Sequence, residues 1–316
     1  MCHAKNILIV FLFLFFYNNC IGQIKFDLPL HGVQGKDYFV DYYVDHDSTT
    51  DIRDPFCGTK TYNGHTGTDF LIRGFKAMDS GVYVYAIADG VVFETKDSMY
   101  DRSKHWIGGS GGNHIGIIHG DTFAVYYCHL KKGSLLVTSG DTVKAGQPIA
   151  QVGSSGYSAL PHLHLEIRNQ KGDLIDPFSG PCQGPTHGLW RMQPAYDTAL
   201  YIIDKGFVPY APNPDTLEER YLVKDTFSVQ TDSLICFWAQ VHGLQSGDRI
   251  QVKWYSPLGK LWYKYKETWK SNWWNSYFWT NILMPHIRNS PIVGKWTASY
   301  YVNKKLIISQ PFYITK

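Results

Sequence analysis

The segment Pro161-His162-Leu163-His164-Leu165-Glu166-Ile167-Arg168 sets two imidazoles two residues apart in a run that alternates polar and apolar. Period two marks a half-buried β-strand, on which positions i and i+2 share a face. His162 and His164 therefore point one way, and Leu163, Leu165 and Ile167 the other. A strand gains nothing in packing from imidazoles on its wet face, so the pair is either an ordinary exposed polar pair or part of a site. Upstream, Asn63-Gly64-His65-Thr66-Gly67-Thr68-Asp69-Phe70 places an Asp four residues after a His. The two glycines favour an extended segment or loop over a helix. Alone, this spacing is more often that of a turn with a solvated carboxylate. Joined to His164, it supplies two imidazoles and one carboxylate with a fourth position left open, the arrangement of catalytic zinc sites. Hydrolysis at such a metal also needs a base and a donor for the developing oxyanion. His129, in Tyr126-Tyr127-Cys128-His129-Leu130, and His162 are the remaining imidazoles near these motifs.

Strands must position such groups, and the chain is built for strands. It has 316 residues, room for two ordinary domains, with 44% hydrophobic and 16% aromatic residues and 29 glycines. That composition is globular and biased toward strands and turns. A net charge of +3 is too small to argue for nucleic acid. Val82–Ile87 and Gly90–Glu94 read as a strand pair turning at Ala88-Asp89-Gly90, and His114–His119 with Phe123–Leu130 as another, turning at Gly120-Asp121. Two short strands lie between Asp141 and Gly153, and the His-x-His strand follows. Many short strands at regular spacing predict an antiparallel barrel or sandwich. From about Leu200 a second all-β segment runs to the C-terminus, its length and alternation suiting an immunoglobulin-like sandwich.

The start of the chain has Lys5, an apolar run from Ile7 to Phe16, and Tyr17-Asn18-Asn19-Cys20-Ile21-Gly22. A basic start, a short apolar core and small residues before a cut predict a secretory signal peptide over 1–22, with lipidation of Cys20 as the competing reading. The apolar run is short for a membrane span, so none is expected after cleavage. Cys57, Cys128, Cys182 and Cys236 then remain, and four cysteines allow three pairings. None has CxxC spacing.

Five elements fall in one order: His65-x-Gly67-x-Asp69; Gly112-Asn113-x-Ile115-x-Ile117-x-His119-Gly120; Tyr127-x-His129-Leu130; Val143 through Ser158 with Gly146-Gln147, Gly153, Ser155-Gly156; and Pro161 to Arg168. In that order they resemble the lysostaphin-type zinc metallopeptidases, exported endopeptidases of bacterial cell-wall peptide bridges. The resemblance covers about Gly64 to Pro177. It implies one Zn²⁺ on His65, Asp69 and His164, His129 and His162 as the catalytic pair, and an antiparallel β structure with a groove over the metal. The lead-in Tyr43–Asp47 and Arg53–Gly58 resembles a subgroup in which a sandwich follows the peptidase. The motif order also brings the end of the catalytic unit back to its start, so a Cys57–Cys182 bridge is expected. The loop Lys96–Gly112, with His105 and Trp106, is longer than the simplest members carry, so the groove wall does not transfer.

The expected organisation is thus a signal peptide at 1–22, a peptidase domain with its lead-in at 23–197, and a β-sandwich at 198–316. The expected activity is an exported, periplasmic or extracellular zinc endopeptidase cutting peptidoglycan stem peptides or cross-bridges. A non-catalytic peptidoglycan-binding activator of a partner hydrolase, and an exported peptidase of other proteins, are the alternatives. His119 reads as a framework histidine, and His31, His46, His105, His114 and His187 as structural or solvated. Cys128, next to His129, is expected to point off the site face as a buried thiol. Glu166 and Arg168 share the His face, as partners of the site or as a salt-bridged rim. Asp45–Asp51 lacks the Gly and distant Glu of a calcium loop and reads as a solvated turn. The tryptophans after residue 237 suit core packing or, if exposed, a glycan platform, and Lys264, Lys266 and Lys270 a wall polymer or solvent.

Overall fold

The computed structural model describes residues 24–102, 111–120, 122–183, 188–196, 198–219, 223–271, 274–284 and 293–316. The expected signal peptide with Cys20, and also His105, Trp106, Asp121, His187 and Trp273, lie outside them. Among the described residues the regular structure is almost all strand. In order come β1 (Tyr38–Tyr42), β2 (Thr68–Ile72), the short helix α1 (Gly74–Ser80), β3 (Tyr83–Tyr85), β4 (Gly90–Lys96), β5 (His114–His119), β6 (Phe123–Cys128), β7 (Thr142–Val143), β8 (Pro148–Gln151) and β9 (His162–Asn169). Then follow β10 (Tyr201–Val208), α2 (Pro214–Glu219), β11 (Thr226–Ser228), β12 (Leu234–His242), β13 (Arg249–Tyr255), β14 (Leu261–Thr268), β15 (Asn275–Leu283), β16 (Gly294–Val302) and β17 (Lys305–Thr315).

β1, β2, β9, β6, β5, β4 and β7 form one sheet in that order, and every pairing in it is antiparallel. The alternation of β9 works as the sequence implies: Leu163, Leu165 and Ile167 are buried, while His162, His164 and Glu166 are half-buried on the other face. Val40, Phe70, Ile117, Val125 and Tyr127 join the apolar side, and Val84, Ile149 and Val152 pack onto it from a second layer. That second layer corrects the expected pairing of residues 82–87 with 90–94. β3 pairs with β8, about sixty residues later, and β4 pairs with β5 and β7. Val84, Ala86 and Ile87 are all fully buried, so this segment crosses the core instead of turning back along the sheet.

Cys57 and Cys182 are bonded, with Cα atoms 5.2 Å apart across 125 residues, as expected. The lead-in is integral to this unit: it supplies β1, and Phe26 bridges Trp190 in a parallel register. Asp45 is the turn residue anticipated, its Oδ1 accepting from the amides of Asp47 and Arg53.

Beyond residue 200 two further sheets, β10-β12-β15 and β11-β17-β16-β13-β14, enclose a core of Phe207, Phe237, Trp254, Phe278, Trp296 and Phe312. Trp238, Trp254, Trp274 and Trp296 are buried, which favours core packing for most of the tryptophans. Trp262 and Trp279 keep 38% and 37% of their surface exposed. Among the described residues no helix is long and apolar enough to cross a membrane.

Candidate metal centre

The site lies on the polar face of the seven-stranded sheet, where β2, β9 and the end of β6 run side by side. Asp69 on β2 stands directly opposite His164 on β9, so strand register alone brings a carboxylate to an imidazole. His65 arrives from the loop before β2. His65 Nε2, Asp69 Oδ1 and His164 Nδ1 converge: 3.2 Å between the first two, 3.2 Å between the two nitrogens, and 2.8 Å from His164 to Asp69.

The chemistry of this trio asks for a cation. The Tyr43 carbonyl can only accept, so His65 Nδ1, 2.6 Å away, carries the proton. Nε2 is then the nitrogen that faces the Asp69 carboxylate and the ring of His164. Burial works against the charge on Asp69, yet His65, His162 and His164 hold it well below the usual carboxylate range. Burial likewise opposes a charged His164, but Asp69 and Glu166 hold it up to about 9. In the metal-free protein the proton on His164 supplies the positive charge. A divalent ion would supply it instead, and would take all three atoms as ligands in the manner of a two-His, one-carboxylate site.

His129 and His162 stand beside the trio, their rings 4.5 Å apart, with His162 Nε2 3.8 Å from Asp69 Oδ1. Each has its Nδ1 committed to a carbonyl: His129 to Ser155 at 2.7 Å and His162 to Leu160 at 2.8 Å. That leaves each Nε2 toward the site. Burial pushes His129 down to about 3 and also lowers His162, so both are neutral near pH 7. His129 reaches the site by a backbone device. It follows the last residue of β6 with φ 59°, a left-handed conformation costing of order 1 kcal/mol or more outside glycine. The turn swings its ring back over the face that strand alternation would have denied it.

The same turn corrects the placement of Cys128. Its β9 partner is His164, so its side chain shares the site face and lines the groove. It is buried and its thiol is pushed up by desolvation, which agrees with an inert role. His119 is the framework histidine anticipated, held between the Asp89 carbonyl and the Tyr127 hydroxyl at 3.0 Å each. His46 pairs with Asp176 at 2.8 Å, and His31 stacks on Tyr85.

An open groove of about 550 Å³ runs over His65, His129 and His164. Its walls include Tyr62, Glu94, His114, Tyr126, Tyr157 and Arg168. Sequence reasoning missed most of these. Tyr62, stacked on His65 with ring centres 4.3 Å apart, and Tyr157 come from loops that carry no periodic signal. Tyr126 was accessible, because it faces Glu166 across the β6–β9 register. His114 contacts Glu94 at 3.4 Å and belongs to the groove wall instead of the solvated surface.

Residues 63–177 match peptidase family M23. That segment is an M23 peptidase domain. The chain is 38% identical over 109 residues to the peptidoglycan DD-endopeptidase ShyA of Vibrio cholerae, covering 34% of this chain and 21% of that protein. It is 41% identical over 103 residues to lysostaphin of Staphylococcus simulans, covering 32% of this chain and 17% of the relative. The match thus spans about a fifth of the length of these relatives. A solved catalytic domain of the S. simulans lysostaphin is 29% identical and covers 45% of this chain and 89% of that one, with a TM-score of 0.30. The M23 segment begins two residues before His65 and ends just past Asp176, so all five site residues fall inside it.

Proposed function

We infer that this protein is an exported zinc metalloendopeptidase that hydrolyses peptide bonds of peptidoglycan stem peptides or cross-bridges. The observation carrying this reading is the convergence of His65 Nε2, Asp69 Oδ1 and His164 Nδ1 beside two neutral, carbonyl-anchored imidazoles. Peptidoglycan is the substrate class because relatives over this segment are named peptidoglycan DD-endopeptidase and lysostaphin. Zinc suits the donor set of two imidazoles and one carboxylate.

The ion, when bound, supplies Lewis-acid activation of the nucleophile and of the scissile carbonyl. The chain's residues do the rest. His65, Asp69 and His164 hold the ion. One of His129 and His162, neutral and with Nε2 toward the site, takes a proton as general base. The other would face the oxygen on which negative charge develops and donate to it from Nε2 only once that nitrogen has gained a proton. The groove between Tyr62 and the β4–β5 side receives the peptide in extended form. Export is supported by the Cys57–Cys182 disulfide, a bond that persists in oxidising compartments, together with the basic-then-apolar start of the chain. The division at about residue 197 and a wall-contacting role for the sandwich belong to the same proposal.

The test is zinc analysis of the purified protein followed by mass spectrometry of purified sacculi incubated with it. About one zinc per chain and release of peptides with new termini, abolished by a chelator and restored by zinc, is the expected result. Zinc-loaded protein that binds sacculi and cuts nothing would instead point to a recruiting, non-catalytic role.

A further inference from the structure

Three of the four site histidines are held by a backbone carbonyl on the nitrogen that faces away from the metal cluster. His65 uses Tyr43, His129 uses Ser155 and His162 uses Leu160, at 2.6, 2.7 and 2.8 Å. His164 is the exception. It turns Nδ1 toward Asp69, so Nε2 is its outer nitrogen, and among the described residues no backbone carbonyl accepts from it. One flank of that nitrogen is closed by Gly67, where a Cβ would come within 2.6 Å of Nε2. Facing Nε2 is a carboxylate: Glu166 Oε2 at 3.8 Å.

We propose that Glu166 is the positioning residue of His164, accepting the Nε2 proton and so keeping Nδ1 as the nitrogen that faces the metal. This rests on the metal-site reading above. Glu166 stands two residues after His164 on β9 and therefore on the same face. It is itself held at both oxygens. Thr66 donates from Oγ1 to Oε2 at 2.5 Å, and Arg168 donates from Nε to Oε1 at 2.6 Å. Arg168 is fixed in turn by the Gly172 carbonyl at 2.9 Å. Because Thr66 adjoins His65, the carboxylate ties the loop bearing one ligand to the strand bearing another.

At 3.8 Å the His164–Glu166 contact is an ion-pair distance, longer than a hydrogen bond, and a ring shift of about 1 Å closes it. A carboxylate on the outer nitrogen fixes the tautomer and ring direction of a metal-bound imidazole and raises its basicity. Glu166 also lines the groove, so a role in binding substrate through its pair with Arg168 is the competing one.

Zinc affinity, measured by chelator competition on the full chain, separates the two. Glu166→Ala is expected to weaken zinc binding by about 10–100-fold, the usual scale for an outer partner of a ligand histidine. Glu166→Gln keeps an acceptor oxygen and is expected to recover part of that loss. Thr66→Val leaves the charge in place while freeing Oε2, and should give a smaller loss in the same direction. Melting of the metal-free proteins is followed in parallel, and the expected result is wild-type melting with reduced affinity. Wild-type zinc affinity in Glu166→Ala and Thr66→Val overturns the proposal, even where KM for wall peptides rises. A wild type that binds no zinc overturns the metal site itself, which is a different failure.

Discussion

Three of the four imidazoles of the site face inward with one nitrogen because a backbone carbonyl holds the other. For His65 it is the Tyr43 carbonyl, which leaves Nε2 facing Asp69 and His164. In the proposed site His164 would contribute one of the three ligand atoms. His164→Ala is expected to lower bound zinc from about one per chain to near zero at micromolar free metal, measured by elemental analysis after dialysis. Stoichiometric zinc in that variant would refute the ligand assignment. At this scale the residue types were legible in the sequence, since His-x-x-x-Asp and His-x-His are local. Their anchors were not, because Tyr43, Ser155 and Leu160 act through backbone carbonyls that any residue type could supply.

At the scale of elements, β9 delivers the site by alternation and β6 delivers it by breaking alternation. The burial of Leu163, Leu165 and Ile167 fixes the register, and a one-residue slip would bury both histidines. Alternation is therefore a sound guide to His162 and His164, and it misplaces Cys128, because the left-handed backbone of His129 brings both onto the same face. Nor could it see that β3 pairs with β8, a contact about sixty residues distant that no local period encodes. The Cys57–Cys182 bond closes the unit around these strands across 125 residues. By the chain-entropy argument, its loss should lower stability by at most about 4–5 kcal/mol. Urea unfolding of a Cys57→Ser, Cys182→Ser variant should show a reduced midpoint with a steeper slope, because the freed unfolded chain exposes more surface, and an unchanged midpoint would mean that the bond constrains nothing.

For the molecule as a whole, the sandwich packs onto the same sheet face that carries the site, on its β1 side. Phe39, Leu71 and Ile203 form a shared apolar cluster, Arg73 reaches the Ile203 carbonyl, and Trp274 Nε1 donates to the Thr59 carbonyl at 3.3 Å. Asp41 and His242 are buried there 3.6 Å apart. Burial raises Asp41 to about 7 and pushes His242 down to about 3, so near neutrality neither contact partner is fully charged. The fold holds the Asp41 proton that an unfolded chain releases near pH 4, so this group's contribution is full at low pH and is lost as pH rises toward 7. His242 acts in the opposite sense, its contribution lost as pH falls from about 6.5 toward 3. Asp41→Asn removes only the first. Its stability relative to wild type should therefore rise between about pH 4 and pH 7, read from melting temperatures across that range, and a difference independent of pH would contradict the buried, protonated Asp41. That a sandwich follows the peptidase was legible in strand spacing, whereas its contact with the site-bearing sheet depends on residues such as His242 that no motif marks.

The central claim is that the carbonyl-anchored imidazoles do chemistry at a metal held by their neighbours. It is tested most directly by the rate of peptide release from purified sacculi by wild type and His129→Ala at equal, measured zinc content. The account predicts an active wild type and a variant slower by about 100-fold or more, the scale for losing an acid–base or oxyanion group, with zinc retained. Equal rates at equal zinc, or a zinc-loaded wild type without any release, would contradict it.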